Sequence, residues 1–304
     1  MIVIQYIPEE PADVLEAKYN SAYHSDMNEN IPCELDGMDS WFSPKLGTLM
    51  KSSPWGRLEV GGPQLADLME LSLLAQFRTL KDTLWESDAV QDVCGKLQAV
   101  IDEHQRNTPG ESKEIFCRLN ECSMKGNTGG DVVPFRTARD IIRAFVEDLR
   151  VHQWFTSNRI TRTAFHLSDF DPAIDIKKEY RVFIYRGRVT AISQYRWSSC
   201  FHVANDALMT AIAECIVGFV EGKVIPVLGK PEASFVADVF VEDEDPRHLK
   251  SYLIEINKFG GQTGCGSALF HWKRDEDLIY RASGEDVVIR VLVPTLANQE
   301  TSPS

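Results

Sequence analysis

No stretch of this 304-residue chain is apolar for the roughly twenty residues that a bilayer-crossing helix needs, so no transmembrane helix is predicted. Positive charge is in short supply: 32 Lys and Arg stand against 45 Asp and Glu, a net charge of −13. That balance argues against a general nucleic-acid or acidic-membrane surface, so neither partner is expected. The opening MIVIQYIPEEP has no basic start and no long apolar core, which predicts no signal peptide and a cytoplasmic location. The seven cysteines show no CxxC spacing, Cys117 and Cys122 being the nearest pair, and read as reduced thiols. HxH and HExxH are missing, so no zinc site is suggested. The GxxxxGK[ST] order of a Walker loop is missing too. Gly264-Cys265-Gly266 lacks the third glycine of a dinucleotide turn, with Leu269 in its place, and too little chain follows for a doubly wound domain.

What is present is an ordinary soluble composition, 43% apolar and 25% charged, long enough for one large domain or two lobes. Residues 8–63 are punctuated by Pro and Gly and carry Trp41, Phe42 and Trp55, which are expected to anchor a loop to a core. Pro63 opens an amphipathic helix whose stripe runs from Leu65 to Leu84, and a second stripe runs from Val90 to Ile101. A lobe boundary is expected in the turn after Asn107. Beyond it come a strand, Glu114–Leu119, a polar loop through Lys125, and a helix with Thr137 as N-cap and Asp140 three residues on. Thr161–Leu167 reads as a strand. Glu179–Tyr185 and Val189–Tyr195 read as a hairpin turning at Arg186-Gly187-Arg188, with Glu179, Arg181, Phe183 and Tyr185 on one face. Asn205 caps a helix predicted to end at Gly222.

Chemistry concentrates in the last two predicted strands, Ser234–Val241 and Tyr252–Asn257. Side chains alternate faces along a strand, so Glu255 and Asn257 point the same way, and Asp238 joins them if the strands pair. Two carboxylates and an amide oxygen on one surface suit Mg²⁺, a hard cation that keeps positions for water and phosphate. Lone strand-end acids facing solvent are the alternative, and the convergence of three oxygen ligands favours the metal. Arg118 interrupts an apolar strand and Lys125 sits in a glycine-flanked loop, from which cations can reach phosphate; exposed charge is the equal alternative.

Three blocks in order then resemble the ATP-grasp proteins of the cell division cycle protein 123 family, from Ile115 to Trp272. EIFCRLNECSMKGN resembles its FxKLNWSSPKDA strand and phosphate loop. KKEYRVFIYRGRVTAISQYRW resembles EFRCFV…ISQRDY, and SFVADVFV…YLIEINKFGGQTGCGSALFHW resembles FVFDVY…WLIDFNPF…TDSLLFTW. The resemblance implies an α+β ATP-grasp fold, two lobes on antiparallel sheets with flanking helices and nucleotide between them. With the boundary in the turn after Asn107 and the polar ending, the expected division is an N-terminal region at 1–110, an N-lobe part at 111–160, a C-lobe at 161–297 and a disordered tail at 298–304. The resemblance places Arg118, Lys125 and Arg181 on triphosphate, with Arg181 and Lys125 as the catalytic cations, and Asp238, Glu255 and Asn257 on Mg²⁺. Phe165, His166 and Leu167 fall on the strand that offers backbone to adenine, and Gln194, Asp238 and Asn257 also fall at the nucleotide. Departures include Arg118 for Lys, Glu255 for Asp, Lys258 for Pro, and Arg196 displaced by one from the Arg of ISQR. Two functions follow: a ligase joining a carboxylate to an amine through an acyl phosphate, which the drift around the phosphate loop favours, or an ATP-binding chaperone engaging the gamma subunit of translation initiation factor two.

Overall fold

The computed structural model describes residues 1–22, 24, 35, 37–77, 85, 87–108, 114–124, 133–242, 248–281 and 286–295. Lys125, residues 243–247 and the expected tail at 298–304 lie outside them. The architecture is α+β and divides into two compact units, residues 1–51 with 172–304 and residues 52–171. The division therefore falls at Lys51/Ser52 and Asp171/Pro172, not at 110 and 160. Strands and helices on both sides of 110 share one core, which includes Leu97, Ile101, Ile115 and Phe165. Among the described residues no helix is long and apolar enough to cross a membrane.

The continuous unit carries a three-stranded antiparallel sheet of β2 (Gly56–Gly61), β3 (Ile115–Leu119) and β4 (Arg162–Asp169), with β4 in the middle. Helices Gly62–Gln76, Asp88–Asn107, Ala138–Glu147 and Leu149–Asn158 contribute the other side chains of its core. Thr137 and Asp140 form a reciprocal capping box, as their spacing predicts. The predicted single helix beyond it is two, because Asp148 accepts from the backbone of Arg150 and Val151 and starts a new one. The first stripe ends as a helix at Gln76, and residues 78–84 are outside the described set.

The other unit is built on a six-stranded sheet in the order β1-β9-β6-β5-β7-β8. These are β1 (Ile2–Pro8), β5 (Glu179–Tyr185), β6 (Arg188–Gln194), β7 (Phe235–Glu242), β8 (Lys250–Lys258) and β9 (Val287–Val293). Its β6-β5-β7-β8 part is antiparallel, while β9 runs parallel to both β1 and β6. One face packs on helix Asp206–Phe219 and on Met38, Trp41 and Leu46, so Trp41 does anchor its loop to a core. The chain continues past Gly222 through a wider helical turn and stops at Gly229, whose φ of 70° is the left-handed conformation that ends helices. The opposite face packs on Phe259, Phe270, Trp272 and Ile279, which follow β8.

Two bulges set the faces. In the β5–β6 pair the register shifts between Phe183 and Ile184, so Thr190 is extra. In the β7–β8 pair it shifts between Asp238 and Val239, so Ile254 is extra. Each extra residue reverses the alternation beyond it.

Candidate nucleotide site

Direct cross-strand partners share a face, and here they make a polar row across all six strands: Glu255, Asp238, Arg181, Ser193, Arg290 and Gln5. The structure brings Arg181, Asp238, Glu255 and Asn257 together at one end of that row. Arg181 donates from Nε to Asp238 Oδ1 and from Nη2 to Oδ2, each at 2.8 Å. Its Nη1 donates to the Gly266 carbonyl at 2.6 Å. Asn257 Nδ2 donates to Asp238 Oδ2 at 3.1 Å and to Glu255 Oε1 at 3.0 Å.

Asp238 is fully sealed from water and Arg181 is 9% exposed. Burial pushes the Asp238 carboxyl up to about 6, the Arg181 charge pulling against it and the neighbouring Glu255 adding to the rise. Burial pulls Arg181 down most strongly, but the Asp238 charge, the neighbouring Cys265 and Tyr195 and the hydrogen bond to Asp238 together outweigh it and hold the guanidinium well above its ordinary value. The pair is a bidentate, charge-assisted contact inside the protein.

The donor set fits a hard divalent cation. Two carboxylates and an amide gather within hydrogen-bond distance, with one arginine against two acids. Turning the Asn257 amide over would present its oxygen to the carboxylates, and a cation between them would relieve the repulsion. Among the described residues no three His, Cys, Asp or Glu side chains gather as a metal cluster, so the cation would rest on two carboxylates and one amide.

The far end of the row is structural. Arg290 makes a bidentate pair with Asp275 at 2.8 and 2.9 Å, donates to Gln5 and Leu269, and lies over Phe270 at 4.2 Å. Leu269 N donates to Ser193 Oγ. Arg181, Ser193 and Arg290 thus fasten the segment 265–275 across the sheet. At its start the Gly266 carbonyl lies against the Arg181 guanidinium. A Cβ on Gly266 would stand 2.8 Å from Asn20 Oδ1 and 3.5 Å from Arg181 Nη1, so a larger residue there would displace the Asn20 side chain.

Other expected residues stand elsewhere. Gln194 lies on the opposite face, paired with Tyr180, and is 1% exposed. Its Nε2 donates to Arg196 O and Ser199 O, both at 2.8 Å, and its Oε1 accepts from Leu292 N at 2.7 Å. It is a structural knot, not a nucleotide ligand, because the β5–β6 bulge turns it away from Arg181. Phe165, His166 and Leu167 occupy the central strand of the continuous unit, paired on both sides with β2 and β3. Their backbone groups are committed to two ladders and are not available to a base, so that assignment is withdrawn. Arg118 belongs to the same unit, opposite His166 on β3, and is 5% exposed.

Sequence reasoning missed two neighbours of the site, Tyr195 and Cys265, and placed a third, Glu179, on Arg181's face without assigning it there. Tyr195 puts its ring 4.9 Å from the Arg181 guanidinium carbon. Burial, then the Glu179 charge, pushes its phenol well above the ordinary value, so it keeps its proton. Burial likewise pushes the Cys265 thiol up to about 12, with Arg181 opposing. Glu179 is 9% exposed on the Arg181 face, and its carbonyl accepts from Tyr195 N at 2.9 Å. Glu179 had a signal in its two-residue spacing from Arg181, and Tyr195 lies two residues past Ser193 and hence on the same face, once the register is known.

The D123 family model matches residues 140–302, which contain Arg181, Asp238, Glu255 and Asn257 but neither Arg118 nor Lys125. Cell division cycle protein 123 from Candida glabrata is 31% identical over 126 residues, 41% of this chain and 28% of that protein. The chain thus matches well under a third of that relative's length. The structure of C-terminally truncated Cdc123 from Schizosaccharomyces pombe superposes with a TM-score of 0.60 at 17% identity, covering 88% of this chain and 100% of that one. The structure of Cdc123 from the same yeast gives 0.54 at 17% identity, covering 86% and 96%. These two share the fold, and since the family model spans more than half of the sequence, the chain belongs to the D123 family.

Proposed function

We propose that this protein binds ATP with Mg²⁺ on the Arg181–Asp238–Glu255–Asn257 face, and uses the bound nucleotide to hold a partner rather than to join substrates. The observation that carries the reading is the contact of two carboxylates and an amide beside one arginine, a set that accommodates a divalent cation and its phosphate ligands. Asp238, Glu255 and Asn257 would hold Mg²⁺, which would supply positive charge to offset that of the phosphates. Arg181 anchors Asp238 and carries positive charge beside the phosphates. Arg118 and Lys125 are further proposed phosphate contacts, on the resemblance alone.

Arg181's commitments favour binding over ligation. An acyl-phosphate ligase must offset charge developing at the γ-phosphate with cations aimed there. Here three of the five N–H directions of Arg181 are directed at Asp238 and Gly266, which leaves two for holding phosphate. The partner proposed is a protein, the gamma subunit of initiation factor two being the candidate the resemblance names. ATP with Mg²⁺ at a hundred times its dissociation constant should add about 2.7 kcal/mol of stability, read as a rise in Tm that EDTA diminishes. No shift at millimolar ligand, with no heat on titration, refutes the nucleotide reading. Phosphate release that depends on an added carboxylate and amine would restore the ligase.

A further inference from the structure

Arg181 is held on three sides, and the third hold belongs to a residue with no role so far. One edge of the guanidinium, Nε and Nη2, lies on Asp238. Nη1 lies on the Gly266 carbonyl. The Tyr195 ring stands 4.9 Å from Cζ, within the reach of a cation–π contact, and the Tyr195 backbone is pinned to β5 through Glu179 O. The Asp238 contact is the one a metal would weaken, since a cation on that carboxylate competes for the same oxygens. The ring contact does not depend on Asp238's charge or ligation.

We propose that Tyr195 is a positioning residue of this site: its ring holds the Arg181 guanidinium in place, so that the N–H groups not spent on Asp238 and Gly266 stay aimed at phosphate when Asp238 takes a metal. Five N–H donors in a rigid plane are useful to phosphate only in one orientation, and a flat aromatic shelf supplies it without a competing acceptor. The proposal rests on the nucleotide reading for its ligand, but not for the ring contact itself.

The test uses the full chain with Tyr195→Phe, which keeps the ring, and Tyr195→Met, which removes it at similar length. Titration calorimetry with ATP and Mg²⁺ should give affinity within about twofold of wild type for Tyr195→Phe. Tyr195→Met should bind about three- to thirtyfold more weakly, the range of a cation–π contact at a partly desolvated site. Adenosine affinity should not change in either. Independently of nucleotide, the ¹⁵N-resolved Arg181 side-chain signals, assigned by their loss in Arg181→Lys, should be sharp and distinct in wild type and Tyr195→Phe. In Tyr195→Met they should average. If wild type binds no ATP, the nucleotide reading fails and the Arg181 signals alone decide whether the ring positions it. Tyr195→Met signals identical to wild type overturn the proposal. So does an equal loss of ATP and adenosine affinity, which would make Tyr195 a support of the fold.

Discussion

Arg181 and Asp238 face each other directly on neighbouring strands, and burial leaves each dependent on the other. A buried ion pair adds little net stability, but removing one partner strands a charge and costs about 3–5 kcal/mol. Arg181→Ala should therefore lose that much in urea unfolding at pH 7, and Arg181→Met with Asp238→Leu should regain most of it. The pH dependence has a definite sign. Asp238's folded value, about 6, lies above its ordinary one, so its contribution is fully present below about 4 and is lost as pH rises through about 6. Removing Arg181 removes the main influence holding that value down, so the deficit of Arg181→Ala should widen between pH 5 and 8. A constant deficit would show that Asp238 does not titrate there. At this scale the sequence was informative: the oxygen-bearing side chains were legible from residue type and alternation. The Arg181–Asp238 pairing was not, because it depends on which residue of β5 stands opposite which of β7.

The elements explain both a success and a failure, and the cause is the same kind of defect. With a straight ladder from Glu242–Lys250 onward, Asp238 would face Ile254 and Glu255 would turn to the core side with Leu253. The extra Ile254 returns Glu255 to Asp238. A trace of this was present in the spacing of Leu253 and Ile256, both buried in one core and three residues apart, which a straight strand cannot place on one face. In the hairpin the effect is reversed. A straight ladder from Tyr185–Arg188 would put Gln194 beside Glu179 on Arg181's face, and the extra Thr190 sends it to the other. Gln194→Leu should then lower Tm with little change in ATP affinity. It frees two half-buried carbonyl partners and one buried N–H, the last costing about 1–3 kcal/mol. A Gln194→Leu protein with wild-type Tm and weakened nucleotide binding would reinstate the ligand role that the register denies it.

For the whole molecule, local punctuation misled, because domain membership is a matter of which core a segment enters. The Pro–Gly turn after Asn107 looked like a boundary, yet the helix before it and β3 after it bury side chains in the same cluster. Conversely, nothing local says that Ile2–Pro8 pairs along its full length with Val287–Val293, at the other end of the sequence. The consequence is an asymmetry between the units. Residues 52–171 are continuous, contain all three strands of their sheet and own the helices that fill their core. Residues 172–304 lack β1, which covers one side of β9, and lack Met38, Trp41 and Leu46, which fill the core against helix Asp206–Phe219. Their loss leaves β9 with an unpaired edge and its core with voids, each large-to-small deletion of this kind costing about 2–5 kcal/mol against a total stability of about 5–15 kcal/mol. Expressed alone, 52–171 should give dispersed amide resonances and a cooperative melt, while 172–304 should not fold until residues 1–51 are supplied in trans or rejoined. A cooperative melt of 172–304 by itself would mean that β1 and the Trp41 segment are additions to a core already complete without them.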